Sequence, residues 1–234
     1  MILKMVFGLE NIPKTKKNVI VVVDAFRSSA VINNAFKNGV NNIFLFIDKN
    51  QIITQDSISQ HIMLCGEKNC LKIKGFDLGN SPLEYNSNVK NKVLLYCSGF
   101  GSKALLLSNA NYVFLSGFTN AEAMAILLNK KFNNSEIYFV IGGGKYTICM
   151  DDFIAAGIII SFLNFKFLDN FCLSSLNLVL QYKDILINII YNSPSVKNLL
   201  ELGFSKDVKF CINESFDIIP YKKGNELVKF DIYG

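Results

Sequence analysis

NVIVVVDAFRSSA (Asn18–Ala30) decides the fold of this 234-residue chain. From Val19 to Val23 every side chain is β-branched and no polar residue alternates, the pattern of a strand buried on both faces. The run stops at Asp24. Beyond Ala30, the residues Val31, Ile32, Ala35 and Phe36 recur at helical spacing until Gly39 ends the helix. A strand, a turn and a helix follow one another, and in open α/β sheets the turn at the strand's carboxyl end is where ligands bind. At that turn Asp24 can hold a metal or orient a base. Arg27 offers a planar fork that matches phosphate or sulfonate oxygens. Ser28 and Ser29 stand at the helix N-terminus, where free N–H groups and the dipole favour an anion. Either serine also suits a plain N-cap, and Asp24 a turn.

Working outward, further strands are expected at Asn42–Phe46, Ile62–Cys65, Val93–Tyr96, Tyr112–Ser116 and Glu136–Ile141. Helices follow from Ala104, from Ala123 after a capping box of Thr119 and Glu122, and from Met150. The polar run Lys49–Gln60 has room for a short helix. Leu173–Leu202 is helical in pattern, with Ser193-Pro194 opening its last helix and Gly203 closing it. Strands at Val208–Ile212 and Leu227–Tyr233 complete the reading. Strands alternating with helices predict an α/β protein, a three-layer α/β/α arrangement with a mixed, largely parallel sheet. The length suits a single domain over 1–234, or two tightly joined lobes.

Half of the residues are hydrophobic and 18% are charged, which describes a globular chain. Lys and Arg number 24 against 19 acids, and no basic run exceeds two residues. Nucleic-acid binding is therefore not indicated, while a modest positive field favours a small anionic ligand. The first residues lack the apolar core of a signal peptide, and the most apolar run, Phe153–Leu163, is too short to span a bilayer. The expectation is a soluble, cytoplasmic protein with no membrane partner. Six cysteines include no CxxC pair and read as reduced, small hydrophobic residues. The lone histidine, His61, leaves no Cys/His zinc site, and without GxSxG no serine triad. Gly142-Gly143-Gly144-Lys145 lacks P-loop spacing. Any metal here should have oxygen ligands, which favours Mg²⁺ or Mn²⁺.

A second stretch carries chemistry: LCGEKNCLKIKGFDLGNSPLEY (Leu64–Tyr85). Gly79 and Pro82 rule out a helix interior, so Asp77, Asn80 and Ser81 sit on a shaped loop. Glu67 can bring a second carboxylate to the same place, a donor set for a hard divalent cation. An ordinary turn in which Asp77 and Asn80 cap their own backbone fits the same residues.

Gly66-Glu67-Lys68, Leu71-Lys72-Ile73 and GFDLGNSPLEY (Gly75–Tyr85), with VVVDAFRSSA (Val21–Ala30), resemble the 2-phosphosulfolactate phosphatase (ComB) family of magnesium-dependent enzymes. The resemblance implies Mg²⁺-dependent hydrolysis of 2-phosphosulfolactate to sulfolactate and phosphate, a step of coenzyme M synthesis in methanogens. It implies Asp24, Glu67, Asp77 and Asp152 as metal ligands or water-orienting carboxylates, with Arg27 in the catalytic set. Ser28, Ser29, Asn80, Ser81, Ser102, Lys103 and Asn120 would grip the small anionic phosphomonoester. A homo-oligomer is compatible with the family. The chain departs from the family's Thr-Asn-Gly-Thr-Arg run, where Phe100, Ser102 and Lys103 stand, and Asp151 replaces a Glu. A family Arg just upstream is missing, with Lys145 as a substitute to be weighed. Two alternatives stay open: a phosphatase for another phosphorylated hydroxy acid, or a degenerate member that binds an anion without turnover.

Overall fold

The computed structural model describes residues 1–14, 16, 18–53, 61–144 and 147–232. Its strands and helices follow in order as β1 (Ile2–Phe7), β2 (Val19–Val23), α1 (Ser28–Lys37), β3 (Asn42–Leu45), α2 (Lys49–Ile53), β4 (Ile62–Lys68), β5 (Leu71–Lys72), β6 (Val93–Cys97), α3 (Gly101–Leu107), β7 (Tyr112–Ser116), α4 (Ala121–Lys131) and β8 (Glu136–Ile141). There follow β9 (Gly143–Gly144), β10 (Thr147–Ile148), α5 (Met150–Ser161), β11 (Phe167–Leu168), α6 (Asn170–Gln181), α7 (Leu186–Tyr191), α8 (Pro194–Glu201), α9 (Ser205–Asn213), β12 (Pro220–Lys223) and β13 (Glu226–Lys229).

β2 is buried on both faces, as its unbroken β-branched run requires. Val19, Val21 and Val23 face a core built with α4, α5 and α6. Ile20 and Val22 face a second core built with α1 and α3. The alternation of one strand thus defines the two outer layers of an α/β/α fold.

Eleven strands form the main sheet, in the order β11-β1-β8-β2-β7-β12-β13-β3-β6-β4-β5. Two parallel blocks stand out: β11-β1-β8-β2-β7 and β3-β6-β4. The antiparallel hairpin β12-β13 joins them, β12 on β7 and β13 on β3. Strand direction therefore reverses between the blocks. Five steps separate β2 from β6, and roughly 20–25° of twist per step accumulates to about 100–125°. That rotation offsets much of the reversal, so the carboxyl ends of both blocks converge on one side.

Several expectations are corrected. Residues 208–212 are helical, within α9. Val208, Phe210 and Ile212 alternate as a strand would, but five residues also fit a helical period, and Asp207, Val208 and Cys211 share its buried face. The last strand spans Glu226–Lys229, so the expected Leu227–Tyr233 overshoots it, and Tyr233 lies outside the described residues. The helix placed in 49–60 is described for Lys49–Ile53 alone, residues 54–60 lying outside. The expectation also missed β1, which pairs along its whole length with β8 and buries Leu3 and Met5. Among the described residues no helix is long and apolar enough to cross a membrane.

The hairpin is anchored by rings. Phe114 of β7, fully buried, meets Phe132, Tyr221 and Phe230 at centroid distances of 5.8, 5.5 and 5.3 Å. Phe114→Ala should lower stability by about 3–5 kcal/mol in urea denaturation. A loss below about 1 kcal/mol would mean that the backbone ladder alone holds the hairpin.

Candidate active site

The carboxyl ends of β2, β4, β6 and β8 open on a cleft of about 460 Å³. Glu10, Asp24, Glu67, Asp151 and Asp152 all line it, and its described lining residues include no Lys or Arg. Asp24, Asp152 and Glu67 are placed by backbone amides. Asp24, just past β2, accepts from the Ser28 amide at the start of α1 (3.1 Å). Asp152, in the first turn of α5, accepts from the amides of Ala25 (2.8 Å) and Gly142 (2.9 Å), tying α5 to the ends of β2 and β8. Glu67 accepts from the amides of Gly99 and Cys70, each at 2.6 Å. Asp151 accepts through Oδ1 from the Ser195 hydroxyl, while its buried Oδ2 has no partner.

Two glycines permit these approaches. At Gly66, φ is +140° and a Cβ would lie 2.0 Å from the Cys97 carbonyl oxygen, so only glycine brings β4 this close to β6. A Cβ on Gly101 would sit 2.6 Å from Asp24, so α3 can start against that carboxylate. Glycines after β6 could let backbone amides approach a bound anion. In the structure the Gly99 amide meets Glu67 of the protein itself.

Crowded carboxylates away from water resist ionisation. Burial first, then the charges of Glu67 and Asp151, push Asp24 up to about 6, although its hydrogen bonds with Ser28 pull the other way. Burial, then Asp151 and Asp24, hold Asp152 well above the carboxylate range. The Cys149 sulfur and the Asp151 and Asp152 oxygens lie within 4.8 Å of one another. Burial pushes the Cys149 thiol far up, which leaves the oxygens as the natural donors. An orphaned carboxylate oxygen among further carboxylates fits a hard divalent cation.

Of the expected site residues, Asp24, Ser28, Glu67, Asn80 and Asp152 line the cleft. The others are placed elsewhere. Asp77 is exposed, and its carboxylate accepts from the Leu64 amide at 2.8 Å, a loop-closing role. Arg27 is 2% exposed and already engaged: Asp207 at 2.7 Å, the Cys70 carbonyl at 2.5 Å and the Phe204 ring at 4.1 Å. Ser81 donates to the same Asp207 at 2.7 Å. Ser29 is buried beside Gly117. Ser102 exchanges hydrogen bonds with Ser98 at the start of α3. Asn120 accepts from Ser116 and Gly117 and donates to the Leu115 and Ile218 carbonyls, holding the turn before α4. Lys103 lines a neighbouring cavity, and Lys145 lies outside the described residues.

The residues missed by the sequence reading are Asp151, Glu10 and Ser195. The Asp151-Asp152 pair at a helix start was a visible signal for the first. Nothing local marks Ser195, which α8 brings in from the far end of the chain.

An α/β protein with buried, cation-seeking carboxylates at its strand ends is the class that fold and site define. The sequence matches the profile of the family described as 2-phosphosulpholactate phosphatase over residues 7–225, and the chain belongs to that family. It is 33% identical over 225 residues to the 2-phosphosulfolactate phosphatase of Methanocaldococcus jannaschii, covering 91% of this chain and 93% of that one. A probable 2-phosphosulfolactate phosphatase of Clostridium botulinum (strain Alaska E43 / Type E3) is 31% identical over 223 residues, 92% of each chain. Another, of Pseudothermotoga lettingae, is 30% identical over 219 residues, 93% of this chain and 95% of that one.

The Arg27–Asp207 pair generates a prediction of its own. Asp207→Ala would strand a buried guanidinium and should cost about 3–5 kcal/mol by chemical denaturation. A change below about 1 kcal/mol would show that Arg27 finds its compensation elsewhere.

Proposed function

We infer that this protein is a phosphatase that hydrolyses 2-phosphosulfolactate to sulfolactate and phosphate. The observation that carries this reading is the family match along nearly the whole chain, residues 7–225. Phosphate release from 2-phosphosulfolactate, phosphoglycolate and phospholactate, compared side by side, tests it. A clear preference for phosphoglycolate or phospholactate would replace the substrate, and no release from any would leave a binding protein.

The cofactor we propose is Mg²⁺, held by Asp24, Asp151 and Asp152. When bound it would neutralise phosphoryl charge and orient the oxygens of the displacement. The chain's own groups would do the rest. Tyr96 donates to Asn80 Oδ1, which leaves Asn80 Nδ2 as a donor to the cleft. The Ser28 and Ser195 hydroxyls line the same space and can orient phosphoryl oxygens.

Asp24→Asn removes a buried charge that the fold penalises, so melting of the metal-free protein should hold or rise. Activity should fall on the order of 10²-fold or more. A variant that melts early yet turns over normally would assign Asp24 to the turn instead.

The pH dependence has a definite sign. In the metal-free protein Asp24 is raised to about 6 and Asp152 is raised further, both above their unfolded values. Their contribution to stability is present below the unfolded carboxylate pKa, about 4, and for Asp24 is lost as pH rises through about 6. A cation that favours the charged forms should therefore raise Tm more at a pH well above 6 than at one well below it. Equal Mg²⁺-induced shifts at both would separate metal binding from these carboxylates.

A further inference from the structure

Asn80 reaches the acidic cleft although it is only 6% exposed. The chain on either side of it is clamped. The Gly79 carbonyl accepts from the Tyr85 hydroxyl at 2.7 Å, the Gly79 amide donates to Glu84 at 2.8 Å, and Ser81 donates to Asp207 at 2.7 Å. Asn34 of α1 donates to the Pro82 and Tyr85 carbonyls just beyond, each at 2.9 Å. With the backbone held, the freedom left to Asn80 is rotation of its terminal amide, a broad torsion with two nearly isosteric states. One state shows the cleft an N–H, the other a C=O.

Tyr96 removes the choice. It stands near the end of β6, fully buried, and its hydroxyl donates to Asn80 Oδ1 at 2.5 Å, a separation found for O–H···O and too short for N–H···O. Burial holds the phenol well above its ordinary value, against the pull of the Ser28 and Ser98 hydroxyls beside it, so it keeps its hydrogen. A flipped amide would turn Nδ2 toward the phenol and forfeit that bond inside the protein. Asn80 Nδ2 has no hydrogen-bond partner among the described residues.

Orientation matters because of what surrounds it, and here the inference rests on the proposed phosphatase reading. Five carboxylates and no Lys or Arg line the described cleft, so a fixed N–H is a scarce partner for a phosphoryl oxygen. A carbonyl in its place would attract the cation and repel the phosphate. We propose that Tyr96 is a positioning residue of this active site: by holding Asn80 Oδ1 it presents Nδ2 to the phosphoryl oxygens and keeps the amide oxygen from the cation. Tyr96 is not among the residues lining the cleft, and it acts through Asn80.

The test is a cycle of Tyr96→Phe, Asn80→Ala and the pair, measured on 2-phosphosulfolactate at saturating Mg²⁺, below the melting temperature of each variant. Each single variant should lose about tenfold in kcat/KM, the worth of one hydrogen bond to a charged group. The pair should lose no more than Asn80→Ala alone, since without the amide Tyr96 has nothing to orient. Losses that multiply overturn the proposal, because they show Tyr96 supporting the site by a separate route. Unchanged kcat/KM and phosphate inhibition in Asn80→Ala overturn it without reference to Tyr96→Phe. Mg²⁺ affinity supplies a readout of different sign. Tyr96→Phe releases the amide oxygen, so inhibition by inorganic phosphate should weaken several-fold while Mg²⁺ binding, followed by calorimetry, holds or tightens. Weakening of both means a loosened site and also overturns it. If wild type hydrolyses no phosphomonoester, the phosphatase reading fails by itself. Calorimetric binding of inorganic phosphate to Mg²⁺-loaded wild type and Tyr96→Phe then decides the orientation, and equal or absent affinity sinks it.

Discussion

The burial of Asp24, Asp151 and Asp152 beside one another is the constraint on which the site depends. Three carboxylates this deeply buried would not be held together by packing, since each loses hydration and faces like charge. Backbone amides hold Asp24 and Asp152, and the Ser195 hydroxyl meets Asp151. Asp152 occupies the first turn of α5 and takes amides from the ends of two adjacent strands. Moving it would leave the Ala25 and Gly142 amides unsatisfied. Asp24 is fixed by the amide at the start of α1. The fold thus stores an unfavourable charge arrangement at its strand ends, and a bound cation would relieve it.

The second constraint is the buried ion pair of Arg27 and Asp207. It reaches from the β2–α1 turn to α9 and gathers Ser81 and the Cys70 carbonyl around it. The Cys70 peptide is doubly used: its carbonyl accepts from Arg27, and its N–H holds Glu67. Arg27 therefore touches the cleft through the position it gives Glu67. The same pair ties α9 to that turn, and α8, which shares a hydrophobic cluster with α9, delivers Ser195 to Asp151. A buried ion pair is a poor source of net stability. Its value here is that one guanidinium fixes three chain segments in one register.

How much of this was legible in the sequence follows from the range of the interactions. β2, the turn at Asp24 and α1 are written locally, in an unbroken β-branched run and a helical period, and the strands expected at 42–46, 62–65, 93–96, 112–116 and 136–141 are found in the same places. Asp24, Glu67 and Asp152 stand beside glycines or at helix starts, where local pattern marks them. The 208–212 segment misled because five residues carry too little phase to separate a strand from a helix. Arg27 and Asp77 misled for another reason. Residue type gave their chemistry, but not whether another group had already claimed it: the nearby Leu64 amide for Asp77, and for Arg27 a partner far along the chain. Asp207 lies 180 residues from Arg27, and no local signal can announce such a pair. Asp151 was visible beside Asp152 and passed over because an acid in a first helical turn is ordinary.

The sheet's mixed topology gives these details a common cause. The β2-β8 block supplies the buried carboxylates, and the β3-β6-β4 block supplies Glu67 and Gly99. Neither block has both. They are linked within the sheet only through β12 and β13, two four-residue strands late in the chain. Outside the sheet the two blocks also meet where α3 starts against Asp24, so that contact and the hairpin together set how the block ends face each other. The packing of a C-terminal hairpin well away from the chemistry thus helps set how the walls of the cleft, drawn from both blocks, face each other.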